Sequence, residues 1–146
     1  MSSYTQLEDI ESEFKDASYD QDTAVTSDDI CEFIRQEEAL LNAQIATVYS
    51  TPVTGTIATA ILKKLSTMLV KARVVDLMQV KSGNVDTEQG AAGDYLREQV
   101  AEILKKIIDK ELLLIDATLN ESSGGVKSYS SENSTDHLFE RDTEQW

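Results

Sequence analysis

The sequence predicts an all-α protein: a small bundle of about four helices with a long central helix and a flexible C-terminal arm. The main evidence is the stretch from Thr56 to Lys81, where apolar residues recur at three- and four-residue steps, the period of a helix. They spread over more than one side, so we expect this helix to pack between neighbours. Before Asp76 its charged positions are all basic. These positions are Lys63, Lys64, Lys71 and Arg73.

Two helices are predicted before the central one. Thr5 and Glu8 have the T-x-x-E spacing of a capping box, which predicts that a short helix begins there. The second helix is predicted to open at Thr26 or Ser27. It should stop at the run from Ser50 to Pro52, because the residue before a proline is pushed out of helical geometry. Its apolar stripe consists of Ile30, Phe33, Ile34, Leu41, Ile45, Val48 and Tyr49.

A fourth helix is predicted after a glycine-containing loop. The run from Ser82 to Asn84 should end the central helix, since glycine is preferred just past a helix end. The following segment to Gly93 is interpreted as a loop that could contain a frayed helical turn, and the helix is expected from about Asp94 to Leu112. The run from Leu112 to Ile115 either extends this helix or forms a short extended piece. The inward residues of the helix should be Leu96, Val100, Ile103, Leu104, Ile107 and Ile108.

The composition changes at Thr118, which divides the chain into a helical domain of residues 1–117 and an arm of residues 118–146. From Asn120 to Asp136 the arm is rich in Ser, Gly, Asn and Glu. Such a segment cannot bury enough surface to offset an ordering entropy of about 1–2 kcal/mol per residue, so we expect disorder in the monomer. The arm is either a docking element or a plain tail. Its candidate partner-binding residues are Tyr129, Leu138, Phe139, Arg141 and Trp146.

The formal charge of −14 argues against a nucleic-acid binder and against docking on an anionic membrane. Residues 1–50 carry −10, residues 51–117 are neutral, and the arm carries −4. Such a distribution could let copies meet through opposite patches, or the acidic ends could simply maintain solubility. With one cysteine, Cys31, no secretory start and no apolar run of membrane-spanning length, we expect a soluble protein of a reducing compartment.

The sequence does not predict an enzyme, a cofactor or a metal site. The single histidine, His137, lies in the arm, and it forms no convincing nucleophile pair or zinc cluster with Cys31. Asp20 and Asp22 have calcium-loop spacing, but the glycine and the closing glutamate of such a loop are missing. The many carboxylates are interpreted as a solvated acidic face, because catalytic carboxylates need a shaped pocket.

The order of these elements resembles the head–tail connector proteins of tailed bacteriophages, also called adaptor or head-completion proteins, of the Mu-like and lambdoid siphovirus groups. The resemblance covers about residues 5–115. It is carried by the D-I…F opening at Asp9, Ile10 and Phe14, and by the aromatic-x-x-Pro helix end at Tyr49 and Pro52. The long helix of the type A-T-A-I-L-K-K-L-S-T-M-L-V-K-A-R-V-V-D-L follows these motifs.

The resemblance implies a structural virion protein, made in the host cytoplasm, which forms a ring of twelve copies at the head–tail junction. Its partners would be other copies of itself, the portal protein, and a neck (stopper) or tail-terminator protein. DNA would pass through the ring without sequence-specific contact, and the arm would contact the portal or neck. The alternative is a cytoplasmic helical interaction module that uses its acidic tail to bind a partner.

Overall fold

The computed structural model describes residues 3–14, 25–82 and 87–120. These residues form four helices: α1 (Leu7–Glu13), α2 (Ser27–Ile45), α3 (Thr56–Ser82) and α4 (Thr87–Ile108). Between the described residues the only β-type pairing is one antiparallel bridge that joins Tyr49 to Leu119. The prediction of an all-α bundle is therefore confirmed. All five candidate residues of the arm, from Tyr129 to Trp146, lie outside the described residues.

Helix α3 is the central helix, as predicted, and it contacts each of the other three helices. Its first half packs against the second half of α2 and against α4, through buried residues that include Leu62 and Leu65. Its second half packs against α1 and the first half of α2, where Val70 and Val74 meet Ile10. Because apolar residues lie on several sides of α3, no single neighbouring helix could remove them all from water.

Helix α1 begins one step later than the predicted capping box. Its N-cap is Gln6, whose backbone N–H donates to Asp9 Oδ2 at 2.9 Å. Thr5 is instead buried, and its N–H donates to Glu38 Oε1 at 2.7 Å. Its hydroxyl donates to the carbonyl of Lys63 at 3.3 Å. The T-x-x-E prediction was wrong because α2 and α3 offer Thr5 tertiary partners that local spacing does not reveal.

Helix α2 begins as predicted, with Thr26 and Asp29 forming its capping box. It ends at Ile45, earlier than the predicted stop between Ser50 and Pro52. Tyr49, which was predicted to lie on the apolar stripe of this helix, is buried at 1% exposure, but it lies in a β-bridge and not in the helix. The helix ends early because the chain after it pairs with residues 118–120, and that pairing requires backbone groups that a helix would use internally.

Helix α4 begins at Thr87, well before the predicted start at Asp94, so residues 87–93 are helical and not a loop. An added Cβ at Gly93 would lie 2.4 Å from Asp76 Oδ1 of α3. The glycine therefore lets α4 cross close to α3, whereas the sequence interpretation placed it in a loop. Tertiary packing outweighs the cost of glycine within a helix, which is about 1 kcal/mol.

Helix α4 ends at Ile108, and the chain then turns through Lys110, which has a φ of 61°. The N–H of Lys110 donates to the carbonyl of Ile107 at 3.2 Å, and the N–H of Glu111 donates to that of Lys106 at 2.8 Å. This pair of bonds is the Schellman pattern of a helix C-terminus, in which the left-handed position is usually glycine. The run from Leu112 to Ile115 is therefore neither helix nor strand.

Replacing Lys110 by glycine should raise the free energy of unfolding by about 0.5–1 kcal/mol. The left-handed conformation costs a residue with a Cβ about 1–2 kcal/mol, and glycine removes this cost in the folded state. The unfolded glycine variant has more conformational entropy, which offsets part of the stabilisation. Urea denaturation followed by circular dichroism measures the change. Lys110→Ala is the matched control, because it removes the same side chain and keeps the Cβ. An equal gain from alanine would show that backbone strain is not the cause.

Candidate interaction surface

Apolar side chains are exposed at the end of the bundle where α3 begins and α4 ends, and the least exposed of them is Leu112, at 38%. Four others are more than half exposed. Ile57 is 53% exposed, Leu113 55%, Ile115 80% and Leu119 51%. We call these four residues the apolar ridge. Exposed leucines and isoleucines are common singly, but several at one end of a small bundle are typical of a surface that another molecule covers.

The ridge is held outward by a buried anchor between two of its members. Leu114 is only 2% exposed, and its N–H donates to the hydroxyl of Tyr49 at 3.1 Å. Because Leu114 points into the core, its neighbours Leu113 and Ile115 are left facing solvent. The four consecutive apolar residues after α4 thus divide between the core and the surface.

Asp116 fixes the same segment to the start of α3. Its Oδ2 accepts from the N–H of Ile57 at 2.6 Å, and its Oδ1 accepts from that of Ala58 at 2.8 Å. The first turn of α3 has no acidic residue of its own, so Asp116 supplies the negative charge that favours a helix N-terminus. The backbone hydrogen bond from Ile57, followed by that from Ala58, holds the pKa of Asp116 below its usual value, although burial opposes the shift.

Gly55 makes this approach possible. An added Cβ at Gly55 would lie 2.4 Å from both Cγ and the backbone oxygen of Asp116. Side chains essentially never approach a backbone oxygen that closely, so a larger residue would push Asp116 off the helix start. The glycine after Pro52 therefore serves a long-range contact as well as the turn in which it lies.

Residues 118–120 attach the end of this segment to the turn after α2. Ser50 N–H donates to the carbonyl of Thr118 at 2.7 Å, and Asn120 N–H donates to that of Val48 at 2.8 Å. The Asn120 amide also donates to the carbonyl of Ala46 at 2.7 Å. Asn120, which we expected to begin the disordered part of the arm, is thus bonded to the bundle. We call residues 112–120 the strap, since it is tied to the bundle along its length.

The basic residues of α3 are largely paired within the molecule. Lys63 lies 2.8 Å from Asp9, and Lys71 lies 2.7 Å from Glu13, so both lysines meet acids of α1. The hydrogen bond from Lys63 is the main reason why the pKa of Asp9 lies below its usual value. On another side of α3, Arg73 donates to Gln36 at 2.8 Å and stacks over the ring of Phe33 at 4.3 Å. The positive cluster therefore docks α1 and α2 onto α3.

A second apolar feature is a groove between α2 and α4, floored by α3, with a volume of about 150 Å³. Leu40, 59% exposed, lies beside it. Glu37 and Arg97 are its charged lining residues. We call this feature the α2–α4 groove. Its apolar lining residues are Leu40, Leu41, Leu69, Val100, Ala101 and Leu104.

Among residues 3–14, 25–82 and 87–120, no three metal-ligating side chains converge. Across the same residues, no helix has the length and apolarity that crossing a bilayer requires. The Cys31 thiol is free and exposed.

Sequence interpretation did not identify the apolar ridge. The signal it could have used is the run from Leu112 to Ile115, because four consecutive apolar residues beyond a helix end rarely all face one core.

Replacing Asp116 by asparagine should lower the thermal midpoint at neutral pH, because the neutral amide is a weaker partner for the α3 N-terminus. The pKa of Asp116 in the folded protein lies below its usual value, so the charged carboxylate stabilises the fold at neutral pH. This stabilisation is lost as pH falls through the folded pKa. The difference in midpoint between wild type and variant should be constant above about pH 5 and should shrink below about pH 4. Thermal unfolding followed by circular dichroism across this range measures it.

Asp109→Asn is the matched control, since it removes the same charge from an exposed residue close to the strap. Asp109 lies at the negative end of the α4 dipole, so its replacement should leave the midpoint unchanged or slightly higher. If both variants gave the same pH dependence, the effect would reflect net charge and not the cap.

The comparisons with known proteins do not assign this chain to a family. No family model, no curated protein and no solved structure matches it. The fold, the strap and the apolar ridge are therefore the observations from which a function can be proposed.

Proposed function

We propose that this chain is a structural virion protein, a head–tail adaptor that forms a ring of twelve copies and joins the portal to a neck or tail protein. The observation that carries the proposal is the apolar ridge. Its side chains project from an end of the bundle at which each backbone turn is fixed by hydrogen bonds. A surface that is ordered before binding loses little conformational entropy when a partner covers it, which suits repeated assembly.

The motifs that resemble the phage connector family have structural roles that fit this proposal. Ile10, in the D-I…F opening, is fully buried and fastens α1 to α3. Tyr49, of the aromatic-x-x-Pro motif, lies beyond the end of α2, where it is buried and holds the strap through its hydroxyl. Tyr49 thus supports the end of the bundle that carries the apolar ridge, whereas Ile10 supports the docking of α1 onto the second half of α3.

The charge arrangement supports a role beside moving DNA. Lys63, Lys71 and Arg73 are bound to partners on α1 and α2, so they are poorly placed to neutralise phosphates. The first turn of α2, by contrast, exposes Asp28 and Asp29. A ring wall of this character would repel DNA and let it slide, because like charges oppose close approach.

Electron microscopy and quantitative mass spectrometry of phage particles that contain this chain test the proposal. We expect a closed ring at the head–tail junction, with the chain present in the same copy number as the portal subunit. Absence of the chain from purified particles would contradict the proposal. It would favour the alternative, a cytoplasmic interaction module that presents its acidic tail.

Deleting residues 121–146 tests the part that the arm plays in assembly. This deletion spares the strap, whereas deletion from residue 118 would also remove the bonds to Val48 and Ser50. We expect the helical circular dichroism of the bundle to be retained and attachment to particles to be lost. Normal attachment of the shortened chain would show that the five candidate residues of the arm are not the contacts. Loss of the helical signal would show that the arm belongs to the bundle.

A further inference from the structure

We infer that a recess between α2 and the N-terminal segment binds an alkylammonium group, the chemistry of a lysine side chain or of a free linear amine. We call it the Glu38 recess. It lies between α2 and residues 3–8, Pro52 also lines it, and it has a volume of about 680 Å³. That volume is within the range of sites that hold small ligands. The inference goes beyond the proposed adaptor function and does not depend on it.

The carboxylate of Glu38 lies in this recess without a cationic partner. The residue is only 8% exposed, and its Oε1 accepts from the N–H of Thr5 at 2.7 Å. Across residues 3–14, 25–82 and 87–120, no salt bridge joins Glu38 to a lysine or an arginine. A neutral donor stabilises a buried carboxylate but leaves its charge uncompensated, which is costly away from water.

The second oxygen of this carboxylate has to share its donor. The Ser3 hydroxyl lies 2.8 Å from Glu38 Oε2 and also 2.8 Å from the carbonyl oxygen of Thr5. A hydroxyl has a single proton, so it donates fully to only one of these oxygens at a time. Since a carboxylate offers roughly four acceptor positions, Glu38 can also accept from the N–H groups of an ammonium ion.

The negative charge of Glu38 acts on its neighbour Tyr4. Burial is the main reason why the pKa of Tyr4 lies above its usual value, and the charge of Glu38 raises this pKa further. Hydrogen bonds with the N–H of Val53 and with the Asn42 side chain act in the opposite direction. A cation bound at Glu38 would offset a charge that the surrounding residues leave in place.

The arginine that lines the recess is engaged elsewhere. Arg35 Nε donates to Glu32 Oε2 at 2.9 Å, and Arg35 Nη2 donates to Glu32 Oε1 at 2.6 Å. This two-fold contact offsets the charge of the guanidinium group. The other acids of the recess are Glu38 and the exposed Glu8, so the local charge favours a cationic ligand.

The apolar part of the lining suits the stem of an alkylammonium ion. It consists of Leu7, Ile34, Ala39 and Pro52. A lysine side chain commonly packs its apolar stem along such a surface while its charged head meets a polar partner. A metal ion fits less well, because hard cations need several oxygen ligands and, in the part of the chain that the structure describes, no three metal-ligating side chains converge.

An NMR titration of the full chain with n-pentylamine, at constant ionic strength, tests the inference. We expect a dissociation constant on the order of 1 mM, as suits a ligand of few heavy atoms. The amide resonance of Thr5 should shift, because its N–H is bound to Glu38. Pentan-1-ol has the same stem and a neutral head, so it should bind at least about tenfold more weakly. Equal binding of the amine and the alcohol would overturn the inference.

A pair of variants locates the binding site. Glu38→Gln keeps an acceptor for the N–H of Thr5 and removes the charge, so it should weaken n-pentylamine binding at least about tenfold. Glu98→Gln is the matched control, because it removes the same charge from an exposed position of α4 outside the recess. It should bind like the wild type. Equal weakening in both variants would show general attraction to an acidic protein and would contradict a site at Glu38. Circular dichroism checks that both variants fold, and the comparison of amine with alcohol needs no variant.

A blocked peptide distinguishes the two sources of the ammonium group. In N-acetyl-Gly-Lys-Gly amide, the only charged group is the lysine side chain. Binding of this peptide at least as tight as that of n-pentylamine would identify a lysine of a partner protein as the fitting ligand. Binding of the free amine alone would identify a small linear amine. If neither probe bound, the inference would be wrong.

Discussion

The structure depends on the need to cover α3 from several sides. Leu62 and Leu65 in its first half, and Val70 and Val74 in its second, are buried with 1% exposure or less. Burying each such side chain contributes about 1.5–3 kcal/mol, so leaving one side of α3 open would remove a large part of the stability of a small domain. This need explains why a helix as short as α1 is docked. Its apolar residues cover the second half of α3, and two of its acids, Asp9 and Glu13, pair with Lys63 and Lys71.

The strap shows how a chain without a regular element can fix the end of a helical bundle. Helix α3 lacks an acidic residue in its first turn, and Asp116 supplies one from a segment that is distant in sequence. The same segment uses Leu114 as an anchor and Asn120 as a partner for the carbonyl of Ala46. Because these bonds lie close together along the chain, the side chains between them are held in defined positions on the surface.

That arrangement connects the fold to the proposed assembly. Ile115 cannot turn inward, because Leu114 already occupies the core and Asp116 is bound to the start of α3. The apolar ridge is thus a consequence of how α3 is capped. Three basic residues of α3, Lys63, Lys71 and Arg73, pair with acids of α1 and α2, so their charges are offset within the molecule. A subunit with ordered apolar contacts and an acidic remainder is suited to meet copies of itself and to repel DNA.

The sequence by itself determined the helices whose apolar period is strong. The extent of α3, the start of α2 at its capping box and the inward side of α4 all follow from local spacing and local hydrogen bonds. Only the tertiary structure decided the N-cap of α1, the early end of α2 and the helical state of Gly93. In each case a partner distant in sequence changed the outcome. The N–H of Thr5 donates to Glu38, and Tyr49 forms an antiparallel bridge with Leu119. Gly93 lets α4 lie close to Asp76 of α3. The exposure of the apolar ridge was likewise decided by tertiary structure. Outside regular helices, the spacing of apolar residues does not predict which side chains face the core and which face solvent.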